Sequence, residues 1–157
     1  MKVSNILIDL RGSVFRIRIK YLHGMPNSLL GRIAGIIKDY NQQESEDIND
    51  NNHNITYKEL VNKVKELSDE IEFVKIVNDV IEMEVNRTPV LFHYILDLYV
   101  KGCMHLPPLF CAKLVHEEME FWGLSERKLV TCCWAKLTSE KEKQITLEKV
   151  QKEWGVA

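Results

Sequence analysis

Phe15, Ile17 and Ile19 alternate with Arg16, Arg18 and Lys20. Only an extended backbone puts that apolar set on one side and the cations on the other, so the stretch predicts a strand lying over a core. Residues 4–22, SNILIDLRGSVFRIRIKYL, supply a second apolar run before it, and Gly12-Ser13 breaks the two. The start of the chain is therefore expected to be two strands joined by a tight turn.

Helical spacing takes over next. Leu29, Leu30, Ile33 and Ile36/Ile37 predict a helix over 27–37 with Asn27 or Ser28 as its N-cap. The segment NQQESEDINDNNHN (41–54) has few apolar side chains to offset its ordering entropy, and it reads as a mobile polar insertion, 41–55. Thr56 with Glu59 forms a capping box ahead of Leu60, Val61, Val64 and Leu67. Two further strands, 71–77 and 80–85, meet at the turn pair Asn78-Asp79.

From residue 89 the chain reads as helices. Pro89 opens a helix that stops before Gly102, and 103–106 is a short extended piece. Pro107-Pro108 opens the next helix, capped by Gly123, and Ser125 caps another reaching about Leu137. Residues 138–157 form a charged helical tail or connector with Leu147, Val150 and Trp154 at helical spacing. The expected class is α/β (α+β), a small N-terminal sheet packed with C-terminal helices.

Bulk properties exclude several functions. With 21 basic and 23 acidic residues the chain is near neutral, and nothing draws it to nucleic acid. The best apolar stretch, Val90 to Val100, carries His93 and Asp97 and is far shorter than the about 20 residues a spanning helix needs. Asp9 and Arg11 interrupt the run a signal peptide would require. The expectation is a cytoplasmic protein, in which four cysteines are buried thiols or metal ligands rather than disulfides. The sequon Asn86-Arg87-Thr88 then carries no meaning.

The chemistry-bearing residues are His105, Cys111, Cys132 and Cys133. Three thiolates and an imidazole make a complete tetrahedral set for structural zinc and leave no position for activated water. The alternative is a set of plain core thiols. The spacing is unlike a zinc finger: adjacent cysteines on a helix point roughly 100° apart, so a site using both would be easier to complete with a ligand from elsewhere, another chain included. Cys103 reads as a buried thiol, and Phe121-Trp122 as a core anchor. Glu117-Glu118 reads as a solvated or subunit-facing helix edge, and His23, His53, His93 and His116 carry no role. No constellation supports an enzyme.

His105-x5-Cys111-x20-Cys132-Cys133 resembles the zinc motif of the cytoplasmic tetramerisation domain of voltage-gated potassium channels, in the non-Shaker (Shaw-, Shal- and Shab-like) branches. FHYILDLYVKGCMHL (92–106) and HEEMEFWGL (116–124) are similar to the same family, and the resemblance covers 4–137. It implies a BTB/POZ-like fold and four-fold assembly, as a homotetramer or with related channel subunits. It also implies zinc between neighbours, with His105, Cys132 and Cys133 from one subunit and Cys111 from the next. Two segments depart from the family's pattern. Asp9-Leu10-Arg11-Gly12 stands for Asn-Val-Gly-Gly, and Met83 to Pro89 keeps only the Arg and Pro of Phe-Phe-Asp-Arg-His/Asp-Pro. The chain lacks membrane helices, a voltage sensor and a Gly-Tyr-Gly filter, so contact with a membrane is expected only through a parent channel. A stand-alone BTB adaptor or channel-regulatory protein that recruits another protein is the alternative.

Overall fold

The computed structural model describes residues 2–46, 56–106 and 110–124. Four strands, β1 (Asn5–Leu10), β2 (Ser13–Arg18), β3 (Ile71–Val77) and β4 (Val80–Val85), form one mixed sheet in the order β2-β1-β4-β3. β1 is antiparallel to β2 and parallel to β4, while β3 and β4 form a hairpin. The expected hairpins are both present. What the sequence did not indicate is that the second pairs beside the first through the parallel β1–β4 ladder.

Alternation sorts the two faces. Ile6, Ile8 and Leu10 of β1, Ile81, Met83 and Val85 of β4, and Ile17 of β2 are buried on the inner face. Asn5, Leu7, Asp9, Arg16, Arg18, Glu82 and Glu84 lie on the other face, and none of them is buried. The register couples the two patterns, with Ile6 opposite both Ile17 and Ile81. β2 ends at Arg18, and Ile19–Tyr21 turns into a 3-10 segment instead of extending the strand. Ile19 remains buried there.

The tight turn falls at Arg11-Gly12, one residue earlier than expected, with φ of 52° and 100°. Positive φ at both central residues matches the twist of the flanking strands. Asp9 Oδ1 accepts from Gly12 N at 2.7 Å, and Arg11 Nε donates to Asn86 Oδ1 at 2.9 Å. The two departures from the family pattern therefore meet. In the β3–β4 turn Asn78 takes φ of 55°, a conformation asparagine tolerates.

Among the described residues four helices, α1 (Leu29–Glu46), α2 (Tyr57–Lys65), α3 (Phe92–Lys101) and α4 (Ala112–Trp122), share one buried core with the inner face of the sheet. Ser28 is the cap of α1, its Oγ accepting from Gly31 N at 3.0 Å. Thr56 caps α2 as expected, accepting from Glu59 N at 3.4 Å. Gly102 and Gly123 end α3 and α4 in the left-handed conformation.

α1 continues through residues expected to be a mobile insertion, so 41–46 is helix and only 47–55 lies outside the described residues. The reason is a docking contact. Asn41 Nδ2 donates to Val3 O and Asn41 Oδ1 accepts from Val3 N, each at 2.9 Å. One amide side chain thus satisfies both backbone groups of Val3. α4 begins at Ala112 with Cys111 as its N-cap residue, later than a helix opened at Pro107-Pro108, and 107–109 lie outside the described residues. The expected helix 125–137 and the tail 138–157 also lie outside them.

Candidate functional site

α3 delivers the chain to the first candidate ligand. Gly102 (φ 81°) ends the helix, Met104 is buried and makes a single β-bridge, and His105 beside it is exposed. Alternation across this short extended piece explains the pair: Met104 points inward and His105 outward.

Cys111 sits at the opposite end of the intervening connection, exposed, at the mouth of α4. The helix expected to open at Pro107-Pro108 starts only after it, at Ala112, so Cys111 is the N-cap residue and not part of the helix. Cys103 is also exposed, which overturns its reading as a buried thiol. Cys132 and Cys133 lie outside the described residues. Among the described residues no group of three or more His, Cys, Asp or Glu side chains could hold a metal ion. His105 and Cys111 are thus surface donors of the right chemistry for zinc that need further ligands.

α4 itself is firmly seated. Ala112, Val115, Met119 and Trp122 recur at helical spacing and are all buried. Phe92 packs on Trp122 with ring centroids 4.9 Å apart, and Phe121 meets Trp122 edge-on at the same distance. The expected aromatic anchor is present.

Sequence reasoning missed a polar cluster beside it. Glu118, read as a helix edge, is 3% exposed. Its Oε1 accepts from Arg87 Nη2 at 2.6 Å and its Oε2 from Trp122 Nε1 at 3.3 Å. The Arg87 guanidinium also lies over the Phe121 ring, 4.4 Å from its centroid. Arg87 Nε is buried with no hydrogen-bond partner among the described residues. The signal was available: Glu118 stands three residues after Val115 and four before Trp122, in phase with the apolar stripe, whereas Glu117 is out of phase and exposed.

A second polar junction joins α1 to α3. Ser28 Oγ donates to Met25 O at 2.7 Å and accepts from both Gly31 N and the Tyr99 hydroxyl. Burial pushes the Tyr99 phenol up to about 12, partly countered by its bond to Ser28. Gly123, which closes α4, lies so near that a Cβ there would come within 3.2 Å of Ser28 Cα. The ends of three helices meet at this serine.

With this geometry in view, residues 81–133 match the BTB/POZ domain family, a segment running from β4 through all four candidate ligands. The mixed four-stranded sheet and its helices form a BTB/POZ-like domain. The similarity extends to named proteins. The chain is 33% identical over 67 residues to voltage-gated potassium channel KCNC4 of Rattus norvegicus, which is 43% of this chain and 11% of that protein. It is likewise 33% identical over 67 residues to voltage-gated potassium channel KCNC3 of Homo sapiens, 43% of this chain and 9% of that protein. To the delayed-rectifier potassium channel regulatory subunit KCNS3 of Rattus norvegicus it is 32% identical over 73 residues, 46% of this chain and 14% of that protein. The chain thus spans a small fraction of these relatives, and the resemblance to potassium-channel domains read from its motifs is borne out. The matched proteins are channels and a channel subunit, not enzymes. Among the described residues no helix is long and apolar enough to cross a membrane.

Proposed function

We propose that this chain is a zinc-dependent assembly domain that brings four subunits of a voltage-gated potassium channel together, through copies of itself or related subunits. One observation carries the reading: the segment that matches the BTB/POZ domain family contains all four donors, and the two described ones, His105 and Cys111, are exposed instead of buried in their own core. Exposed donors on separate elements suit an ion shared between chains.

In this reading His105, Cys132 and Cys133 of one subunit and Cys111 of the next hold each ion. Zinc, when bound, supplies a tetrahedral link that the unassembled chain cannot complete. The protein's own part is placement: Met104 anchors the strand that presents His105, and the buried stripe of α4 holds the helix that Cys111 precedes. Head-to-tail contacts of this kind close into a ring, and a ligand that binds only the ring favours it by mass action.

The cytoplasmic face of a membrane channel is the corresponding location. The similarity to a regulatory subunit, KCNS3, favours a second reading, in which the chain joins and modulates other subunits' assemblies.

Light scattering in zinc and then in a strong chelator tests the proposal. A species of about 74 kDa, four times the 18.4 kDa chain, should fall to monomer on chelation. A monomer in both buffers would rule the assembly reading out.

A further inference from the structure

We infer that the ion pair between buried Glu118 and part-exposed Arg87 is a positioning device that sets the rotation of α4 about its axis, and through it the direction in which Cys111 is presented. The inference rests on the zinc reading above and adds residues outside the ligand set.

Apolar packing leaves the rotation of α4 loosely set. Ala112, Val115, Met119 and Trp122 fix α4 against the core, but dispersion and hydrophobic contacts are weakly directional. Glu118 differs. One oxygen is held by Arg87 at 2.6 Å and the other by Trp122 Nε1 at 3.3 Å, so the carboxylate is fixed in two directions. Arg87 in turn stands two residues beyond β4, with its N bonded to Val85 O at 2.9 Å, so the tether runs directly to the sheet.

The magnitude decides that rotation matters. Helix surface atoms lie about 5 Å from the axis, so a 20° roll carries such an atom about 2 Å. Metal sites tolerate about 0.2 Å in ligand distance. A roll that the apolar stripe could absorb by repacking would therefore take Cys111 out of reach of a shared ion. Cys111 is joined to the first residue of α4 and its O accepts from Val115 N at 3.2 Å, so a roll of the helix carries it along.

The energetics point the same way. An ion pair taken largely out of water contributes little net stability against an apolar replacement, and among the described residues this one leaves Arg87 Nε without a partner. Its contribution is direction.

The test is zinc affinity, measured by competition with a chromophoric chelator, on chains shown by circular dichroism to be fully folded at the temperature used. Glu118→Gln should bind zinc about 10-fold more weakly, the lower end of the effect of losing an outer-shell partner. Arg87→Lys keeps the charge but loses the fork. It should fall between the two, and it carries the test if Glu118→Gln does not fold. Val64→Ala, a cavity in α2, provides a variant of lowered melting temperature whose zinc affinity should stay at the wild-type value. Equal zinc binding by Glu118→Gln and wild type, or equal weakening in Val64→Ala, overturns this inference and leaves the zinc reading standing. A wild-type chain that takes up no zinc overturns both.

Discussion

The Tyr99 hydroxyl donates to Ser28 Oγ at 2.6 Å across 71 residues of sequence, tying the end of α3 to the cap of α1. Both groups are buried, so neither has water as a substitute. Tyr99→Phe should cost about 1 kcal/mol in chemical denaturation. It should also change the alkaline limb of the stability profile. The folded phenol titrates near 12 against an ordinary 10, so the folded state holds its proton longer. That contribution is complete below pH 10 and is lost as pH rises toward 12, about 2–3 kcal/mol in all. The phenylalanine variant should lack this slope; an unchanged slope would mean that Tyr99 is not its source.

Two glycines of α1 should respond in opposite ways to alanine. At Gly31 a Cβ would lie 1.8 Å from Met25 O, so Gly31→Ala must displace the turn that leads into the helix and should cost about 3 kcal/mol. At Gly35 nothing lies within 4 Å, and Gly35→Ala should stabilise by about 0.5–1 kcal/mol through the unfolded chain. Thermal melts of the pair decide it.

Arg11 occupies the left-handed region at φ of 52°. A β-branched side chain is costlier there than glycine, so Arg11→Val should be less stable than Arg11→Gly by about 1–2 kcal/mol. Both substitutions lose the bond to Asn86, which therefore cancels in the comparison.

Asn41→Ala removes two hydrogen bonds to Val3 at once. A loss of about 1–2 kcal/mol is expected, together with faster amide exchange at Val3, whose N–H would have no side-chain acceptor.

Zinc-linked assembly should weaken in acid, because thiolate and imidazole ligands must shed protons to bind. Light scattering at pH 5 should show a smaller species than at pH 7. Mixing Cys111→Ala with His105→Ala chains should restore some complete sites if the ligands come from two subunits, and none if each site lies within one chain.

Much of the architecture is legible in local pattern. Alternation marks β2, an apolar run ending at a glycine turn marks β1, Thr56 and Glu59 announce α2, and Asn78-Asp79 turns β3 into β4, because each signal acts over a few residues. The parallel pairing of β1 with β4 has no local signal, since any apolar strand could occupy the centre. The polar run after residue 40 misled for a related reason: its composition argues against burial, yet Asn41 needed only one backbone partner to hold the helix together. Glu118 was misread because charge was weighed before phase. Of the proposed ligand set, His105 and Cys111 are exposed, and Cys132 and Cys133 lie outside the described residues.

The β1–β4 ladder has a kinetic consequence. Every pair in it joins residues 75 apart, from Asn5 with Val80 to Leu10 with Val85. A ribosome adding about 5–20 residues per second takes on the order of 4–15 s to deliver the second strand after the first. Closing so long a loop must come before any reward from the ladder. During that interval one edge of β1 has no partner strand, which is the period in which a nascent chain would be most exposed to strand exchange with its neighbours on a polysome.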